Sequence, residues 1–368
     1  MSAAPIRILL PFSDDSTLFF VQRMRAVLEG HGCELCTAWL TSGSPLSYRQ
    51  LTAVLPEGPD ILLLAEAFRQ VTPLQEFDAI VTSRVFAPLR DMLKKAHLRH
   101  MAGRPCVIAF QGGLDFDPER GFANRSRTDS LFIVPKGDIA RYRAVAERLD
   151  AGAQYLGFGH PTFLGPPPVP EDLAARRDVV FFAQALSPAT RAGRLFVLRM
   201  LAAVARAHPE RTVWIKLRHL PHENRDHLHR EELPYPELIA ALPGPCPANL
   251  RLTAEPMDDV LARAGIGITC TSTAAVDLVR AGVPALVFLD YAENYLDPLV
   301  PPMRRLFAES GLIAGVEEVL QLCPKTPETP WLETFFICPE ALAAQVLEAV
   351  AAFRQRPVAV RRVLPPLV

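Results

Sequence analysis

The stretch Thr212-Val-Trp-Ile-Lys216-Leu-Arg218-His219 and, further along, Gly267-Ile-Thr-Cys-Thr271-Ser272-Thr273-Ala-Ala275 decide how this chain folds. Each opens as the apolar run of a buried strand and ends in polar groups. The first ends in two fixed cations and an imidazole. The second ends in three hydroxyls that open a helix, Ala274-Ala-Val-Asp-Leu-Val-Arg280, closed by Ala281-Gly282-Val-Pro284. In an open α/β sheet, ligands bind outside the carboxyl ends of the strands. Cations beside a hydroxyl-rich helix start, with its free backbone N–H groups, suit a phosphate. The pair therefore reads as a pocket for a nucleoside mono- or diphosphate.

Outward from these two stretches, strand and helix patterns alternate along the chain. Ile6–Phe12, Cys33–Leu40, Phe77–Ser83, Pro105–Phe110, Asp129–Val134 and Tyr155–Gly159 read as strands, with helical periodicity over 18–30, 85–99 and 137–149. Gly165-Pro-Pro-Pro-Val-Pro170 is a stiff interruption, after which the alternation restarts at Asp178. A last amphipathic helix covers 342–353. Strands alternating with helices predict parallel, doubly wound sheets. The expected fold is α/β, with two Rossmann-like domains whose parallel sheets face a central cleft. The boundaries read as a first domain over 1–164, a proline-rich linker over 165–177 and a second domain over 178–340. A helix and tail over 341–368 pack back on the first domain.

Composition narrows the functional classes. At 368 residues the chain is long enough for two domains, and 49% hydrophobic content supplies an ample core. A formal net charge of −1 gives no global field toward nucleic acid. Seven cysteines are scattered without framework spacing, which fits reduced, structural thiols in a cytoplasm. Cys33-Glu-Leu-Cys36 lies within a strand pattern and has no second pair to complete a zinc site. The opening residues read as a strand and lack the basic region of a signal peptide. No apolar run reaches the length of a membrane span.

The Lys216-Leu-Arg218-His219 strand end followed by the Thr271-Ser272-Thr273 helix start resembles the second domain of GT-B glycosyltransferases. The layout is similar to that of bacterial sialyltransferases and glycerophosphotransferases, although Leu220 stands where their motif has proline. Further blocks resemble an uncharacterised bacterial glycosyltransferase family: Ser13–Phe19, Phe110–Leu114, Phe181–Gln184, Glu231–Tyr235 and Thr269–Ala275. The resemblance implies sugar transfer from a nucleotide-activated donor to a glycan, lipid-linked or protein acceptor in surface-glycan synthesis. It tilts the donor toward a CMP-linked acidic sugar over a UDP-sugar. It also implies no cofactor and no metal, because fixed cations take the metal's place.

Residue by residue, period-two geometry places Lys216 and Arg218 on one face of their strand, with Leu217 on the other. Two cations there can neutralise a leaving phosphate. The plainer reading is a solvated strand end. Thr271, Ser272 and Thr273 can cap their helix and face an anion at once. His219, Gln184 and Glu232 complete the expected donor contacts. Four of the nine histidines, His219, His222, His227 and His229, cluster, but their spacing matches no tetrahedral zinc site.

An inverting transfer needs a base in the first domain. Asp15, at the end of the first strand, is the first candidate and Asp115 the second. A helix cap and a turn carboxylate are their plainer readings. Ser16, Gln111, Gly112 and Gly113 would line the cleft beside them. The basic helix face with Arg90, Lys94, Lys95 and Arg99 reads as solvated, or as a contact to a membrane surface. Its lack of interleaved aromatics argues against nucleic acid. A cytoplasmic enzyme, at most peripheral at the inner membrane face, is the resulting expectation. A nucleotide-sugar 2-epimerase and a non-catalytic nucleotide-binding module are the alternatives.

Overall fold

The computed structural model describes residues 5–42, 44, 46, 48–70, 74–99, 103–112, 121–122, 125–148, 154–165, 167–218, 231–242 and 244–356. The chain divides into two compact units, Met1–Gly165 with Glu333–Val368, and Pro166–Leu332.

In the first unit, strands and helices follow in the order β1 (Ile6–Phe12), α1 (Asp15–Leu28), β2 (Cys33–Leu40), α2 (Tyr48–Val54), β3 (Ile61–Leu63), α3 (Ala65–Gln70), β4 (Ala79–Thr82) and α4 (Ala87–Arg99). Then come β5 (Cys106–Phe110), β6 (Ser130–Ile133), α5 (Asp138–Arg148) and β7 (Tyr155–Phe158). All neighbouring strands pair in parallel, in the order β3-β2-β1-β4-β5-β6-β7. The chain builds outward from β1 in one direction, then crosses over and builds the other way from β4. The central strands β4, β5 and β6 are buried at every residue. That follows from helices on both faces, which leave no solvent side for polar residues to occupy. One face packs Leu9, Ile80 and Val107 against Leu89, Met92 and Leu93 of α4. The other packs Ala109, Leu131 and Ile133 against Tyr142 and Val145 of α5.

The second unit runs β8 (Asp178–Phe182), α6 (Arg191–Ala207), β9 (Val213–Lys216), α7 (Tyr235–Ala240), β10 (Leu250–Thr253), α8 (Met257–Arg263), β11 (Ala264–Thr269), α9 (Ala274–Arg280) and β12 (Ala285–Phe288). It ends with α10 (Val300–Leu306), β13 (Ile313–Ala314), α11 (Val316–Leu320) and α12 (Thr329–Leu332). Its sheet is again parallel, in the order β10-β9-β8-β11-β12-β13. The strand order reverses between β1 and β4 in the first sheet and between β8 and β11 in the second. Such reversals open a crevice at the carboxyl ends of the two strands.

The segment after β12 escapes a periodicity reading because its elements hold two to seven residues each. None completes enough turns to show a repeat. α6 is the opposite case. Its buried residues Val197, Leu198, Leu201, Val204 and Ala205 recur at helical spacing, and Thr190 caps it by accepting the Gly193 N–H at 3.0 Å. At Gly282, φ is +67° and a Cβ would sit 1.8 Å from the Pro168 carbonyl oxygen, so the end of α9 requires glycine to seat the proline segment. The terminal helix α13 (Pro339–Gln355) belongs to the first unit and packs on α1, β5 and β7. Its Gln345 amide donates to the Phe158 carbonyl at 3.2 Å and accepts the Phe158 N–H at 3.1 Å, which covers the open edge of β7. Among the described residues, no helix is long and apolar enough to cross a membrane.

Candidate functional site

The carboxyl end of β9 carries the two cations of the opening stretch. Val213, Ile215 and Leu217 are buried on one side, while Trp214, Lys216 and Arg218 alternate with them. Lys216 is half-buried and donates from Nζ to the Leu217 carbonyl at 2.7 Å. Burial pushes its ammonium below the usual lysine range, and the nearby Glu255 opposes that shift. Glu255 is held below the usual carboxylate range, first by a 2.6 Å hydrogen bond from Thr253 and then by Arg263. The Arg263 guanidinium stacks over Trp214 at 4.6 Å. Arg218 is exposed and forms no ion pair among the described residues. The strand end thus presents one cation supported from below and a second facing solvent.

Across the β8/β11 reversal, Thr271 is fully buried and donates its hydroxyl to Gln184 Oε1 at 2.6 Å. Gln184 follows β8 and Thr271 follows β11, so this bond closes the crevice floor. The Gln184 amide nitrogen has no hydrogen-bond partner among the described residues. Ser272 accepts the Ala274 N–H at 3.2 Å. Thr273 is exposed, sits at the N-cap with φ −65° and ψ −9°, and makes no capping bond. Its backbone is already helical, whereas a capping side chain reaches the first turn from an extended backbone. Of the three hydroxyls, one faces Gln184, one turns to the helix backbone and one stands in solvent.

Glu232 is exposed, while its neighbour Glu231 is buried and accepts from Arg194 Nη1 at 2.5 Å. His219 and the rest of the histidine cluster lie outside the described residues. So do Asp115 and Gly113. Among the described residues, no three His, Cys, Asp or Glu side chains gather as a metal site would.

In the first unit, Asp15 and Ser16 are exposed in the first turn of α1, and the Asp15 carboxylate accepts the Ser16 N–H at 2.8 Å. The N-cap is Asp14. It accepts the Thr17 N–H at 2.9 Å, Thr17 Oγ1 accepts the Asp14 N–H at 3.1 Å, and the second carboxylate oxygen of Asp14 pairs with Arg84. Arg84 follows β4, so this ion pair spans the β1/β4 reversal. Gln111 is buried and structural: it donates to Tyr142 Oη at 3.1 Å and accepts the Val134 N–H at 2.8 Å. Gly112 lies against the Ser83 carbonyl, where a Cβ would sit at 3.4 Å. His160 packs among Phe20, Phe110 and Phe163. Its Nδ1 accepts the Thr162 N–H at 3.2 Å, and burial pushes the imidazole down to about 3, so it is neutral with its proton on Nε2. That tautomer leaves no free ring nitrogen to serve as a base.

Sequence reasoning missed three groups: Arg84, Arg194 and the buried set Ser187, Tyr291 and Asp297. For Arg194 a signal exists. It occupies the apolar stripe of α6 with Val197, Leu198 and Leu201, where an arginine must be paired. The others meet partners far away in sequence and leave no local trace.

Two Rossmann-like units with these parallel sheets have the GT-B fold. Solved structures agree. A UDP-GlcNAc 2-epimerase from Methanocaldococcus jannaschii matches with a TM-score of 0.58 at 12% identity, covering 94% of this chain and 99% of that one. A UDP-N-acetylglucosamine 2-epimerase from Listeria monocytogenes, so described in provisional terms, gives 0.57 at 15% identity, covering 96% and 98%. MurG from Acinetobacter baumannii gives 0.51 at 12% identity, covering 94% and 100%. At these identities the likeness is one of fold. The chain itself belongs to the family described as "Putative glycosyltransferase (DUF6716)", whose model matches residues 14–353. No curated protein matches the sequence.

Proposed function

We propose that the protein transfers a sugar from a pyrimidine-nucleotide donor bound at the carboxyl ends of β8, β9 and β11. The observation that carries this reading is the Thr271–Gln184 bond at the strand-order reversal, with Lys216 and Arg218 on the neighbouring strand end. Lys216 and Arg218 neutralise the donor phosphate, the Gln184 amide donates to it, and Ser272 and Thr273 offer hydroxyls beside it. Glu232 and His219 complete the donor contacts in this reading. The sialyltransferase-like layout favours a CMP-linked acidic sugar. Solved neighbours described as a UDP complex of MnaA from S. aureus and a UDP-GlcNAc complex of the Neisseria meningitidis 2-epimerase support the uridine alternative.

In the proposed reaction an acceptor hydroxyl attacks the anomeric carbon, and the bond from that carbon to the nucleotide phosphate oxygen breaks. The hydroxyl proton passes to a carboxylate of the first unit, Asp15 or Asp115, and the phosphate leaves with its charge held by Lys216 and Arg218. The anomeric centre inverts, and two fixed cations serve where other transferases use a metal. The acceptor is a surface glycan, a lipid-linked sugar or a protein.

A thermal-shift panel with CMP, CDP, UDP, GDP and ADP tests the donor site. The expected result is a rise with a pyrimidine nucleotide that is lost in Lys216→Ala. A purine-only shift, or one untouched by Lys216→Ala, contradicts the proposal. Product formed from UDP-GlcNAc without acceptor would point to the epimerase reading.

A further inference from the structure

We infer that Arg194 is a positioning residue that sets the geometry of the donor pocket, a role that rests on the β8/β11 crevice being that pocket. Arg194 lies in the first turn of α6 and is 2% exposed. All five of its N–H donors are used. Nε donates to the Pro188 carbonyl at 3.0 Å. Nη1 donates to Glu231 Oε1 at 2.5 Å and to the Leu233 carbonyl at 3.0 Å. Nη2 donates to the carbonyls of Gln184 at 3.0 Å and Ala185 at 2.6 Å. The guanidinium face rests over the Tyr235 ring at 5.3 Å.

One side chain therefore fixes two separate loops. Residues 184–188 are the loop that leaves β8. Glu231 and Leu233 stand just ahead of α7, in the stretch of chain between β9 and that helix. Gln184 then passes the constraint to β11 through Thr271. A second buried group extends it to β12. Ser187, in the same loop, donates to Asp297 Oδ2 at 2.6 Å, and Tyr291 donates to that same oxygen at 2.6 Å. The loops at four strand ends are thus tied through Gln184–Pro188, and Arg194 holds that segment by its backbone. Arg194 reaches the donor only through Gln184 and the Glu231–Leu233 segment, so it positions and does not react.

A structural residue would lower stability and leave affinity alone. A positioning residue changes affinity in a protein that is still folded. Lysine keeps the charge opposite Glu231 but has one nitrogen, which cannot reach Pro188, Leu233 and Gln184 together. The test compares full-length wild type, Arg194→Lys, Glu231→Gln and Lys216→Ala. It measures hydrogen exchange over 184–188 and 231–233, together with calorimetric titration by CMP and by UDP well below each variant's melting temperature. Arg194→Lys is expected to exchange faster in both segments and to bind the preferred nucleotide about tenfold more weakly, because an ordered pocket must form at binding. Lys216→Ala is expected to lose affinity while its exchange stays as in wild type. Arg194→Lys with faster exchange and wild-type affinity would overturn the inference and leave the donor site standing. If Arg194→Lys does not fold, Glu231→Gln, which keeps the guanidinium fork, is judged by the same criterion. A wild type that binds neither nucleotide overturns the donor-site reading and this role with it.

Discussion

At the β1/β4 reversal of the first unit Asp14 meets Arg84, and at the β8/β11 reversal of the second Thr271 meets Gln184. The two crevices share a strand order and differ in their chemistry. The first is closed by an ion pair whose arginine is largely exposed, beside a second carboxylate, Asp15. Such a pair is screened by solvent and contributes about 0–1 kcal/mol. The second is closed by a neutral bond with a fully buried threonine, backed by the Arg194 fork, with Lys216 and Arg218 on the adjoining strand. Topology alone makes two equivalent crevices. Side chains give the first an exposed carboxylate, Asp15, beside its ion pair and the second two cations, Lys216 and Arg218, and on that difference rests the proposal of a phosphate in the second unit and a proton acceptor in the first.

The sharpest way to break this contrast is to remove its cations. Lys216→Ala combined with Arg218→Ala should lower turnover on the order of 100-fold, the scale seen when a charge-stabilising group is lost. The melting temperature should barely move, because Arg218 is exposed and the half-buried Lys216 donates only to the Leu217 carbonyl among the described residues, with a coulombic contribution from Glu255. Preserved turnover would remove the basis for assigning the phosphate to β9.

Gln184→Glu makes the second crevice resemble the first. The carboxylate can still accept from Thr271, but it adds a negative charge at the phosphate. Nucleotide affinity should fall about tenfold, since like charges a few ångströms apart near a surface cost on the order of 1–4 kcal/mol before screening. Unchanged affinity by titration calorimetry would show that Gln184 does not face the phosphate.

In the first unit His160, packed against Phe20 of α1 and Phe110 of β5, makes stability depend on pH. Burial holds its imidazole at about 3, below the ordinary 6.5. Between those values the unfolded chain binds a proton that the folded chain refuses. Stability is therefore complete above pH 6.5 and falls as the pH drops toward 3. His160→Asn keeps an acceptor for the Thr162 N–H and removes the titration, so its urea midpoint should decline less between pH 6.5 and pH 4 than that of wild type. Parallel declines would show that other groups set the acid limb.

Asp14→Ala should have the smallest effect. It removes an N-cap worth about 1 kcal/mol and frees Arg84, which is already solvated. Nucleotide affinity should not change. A weaker nucleotide complex in Asp14→Ala would mean that the first crevice touches the phosphate after all.

Much of this contrast could be read from residue order. Alternating apolar runs gave the parallel α/β plan, and the polar ends of Thr212–His219 and Gly267–Thr273 marked the carboxyl ends of β9 and β11. Local periodicity reports which residues are buried, not which partners they meet. It therefore showed Lys216 and Arg218 on one face but could not show Thr271 turned to Gln184, 87 residues away. It placed Asp14 and Asp15 together after the strand but could not show that Asp14 takes the capping box and Arg84 while Asp15 stays exposed. Gln111 looked like a crevice residue because glycines follow it, yet its amide is spent on Tyr142 and Val134. Arg194 was hidden among the other arginines of a helical segment, although its place on the apolar stripe was visible.

The most direct measurement is a crystal structure of the protein with the pyrimidine nucleotide that stabilises it. The account predicts phosphate density at the carboxyl ends of β8, β9 and β11, within hydrogen-bond reach of Lys216 and the Gln184 amide, with the Thr271–Gln184 bond intact. Phosphate density beside Arg84 at the end of β4, with the second unit's crevice empty, would contradict it.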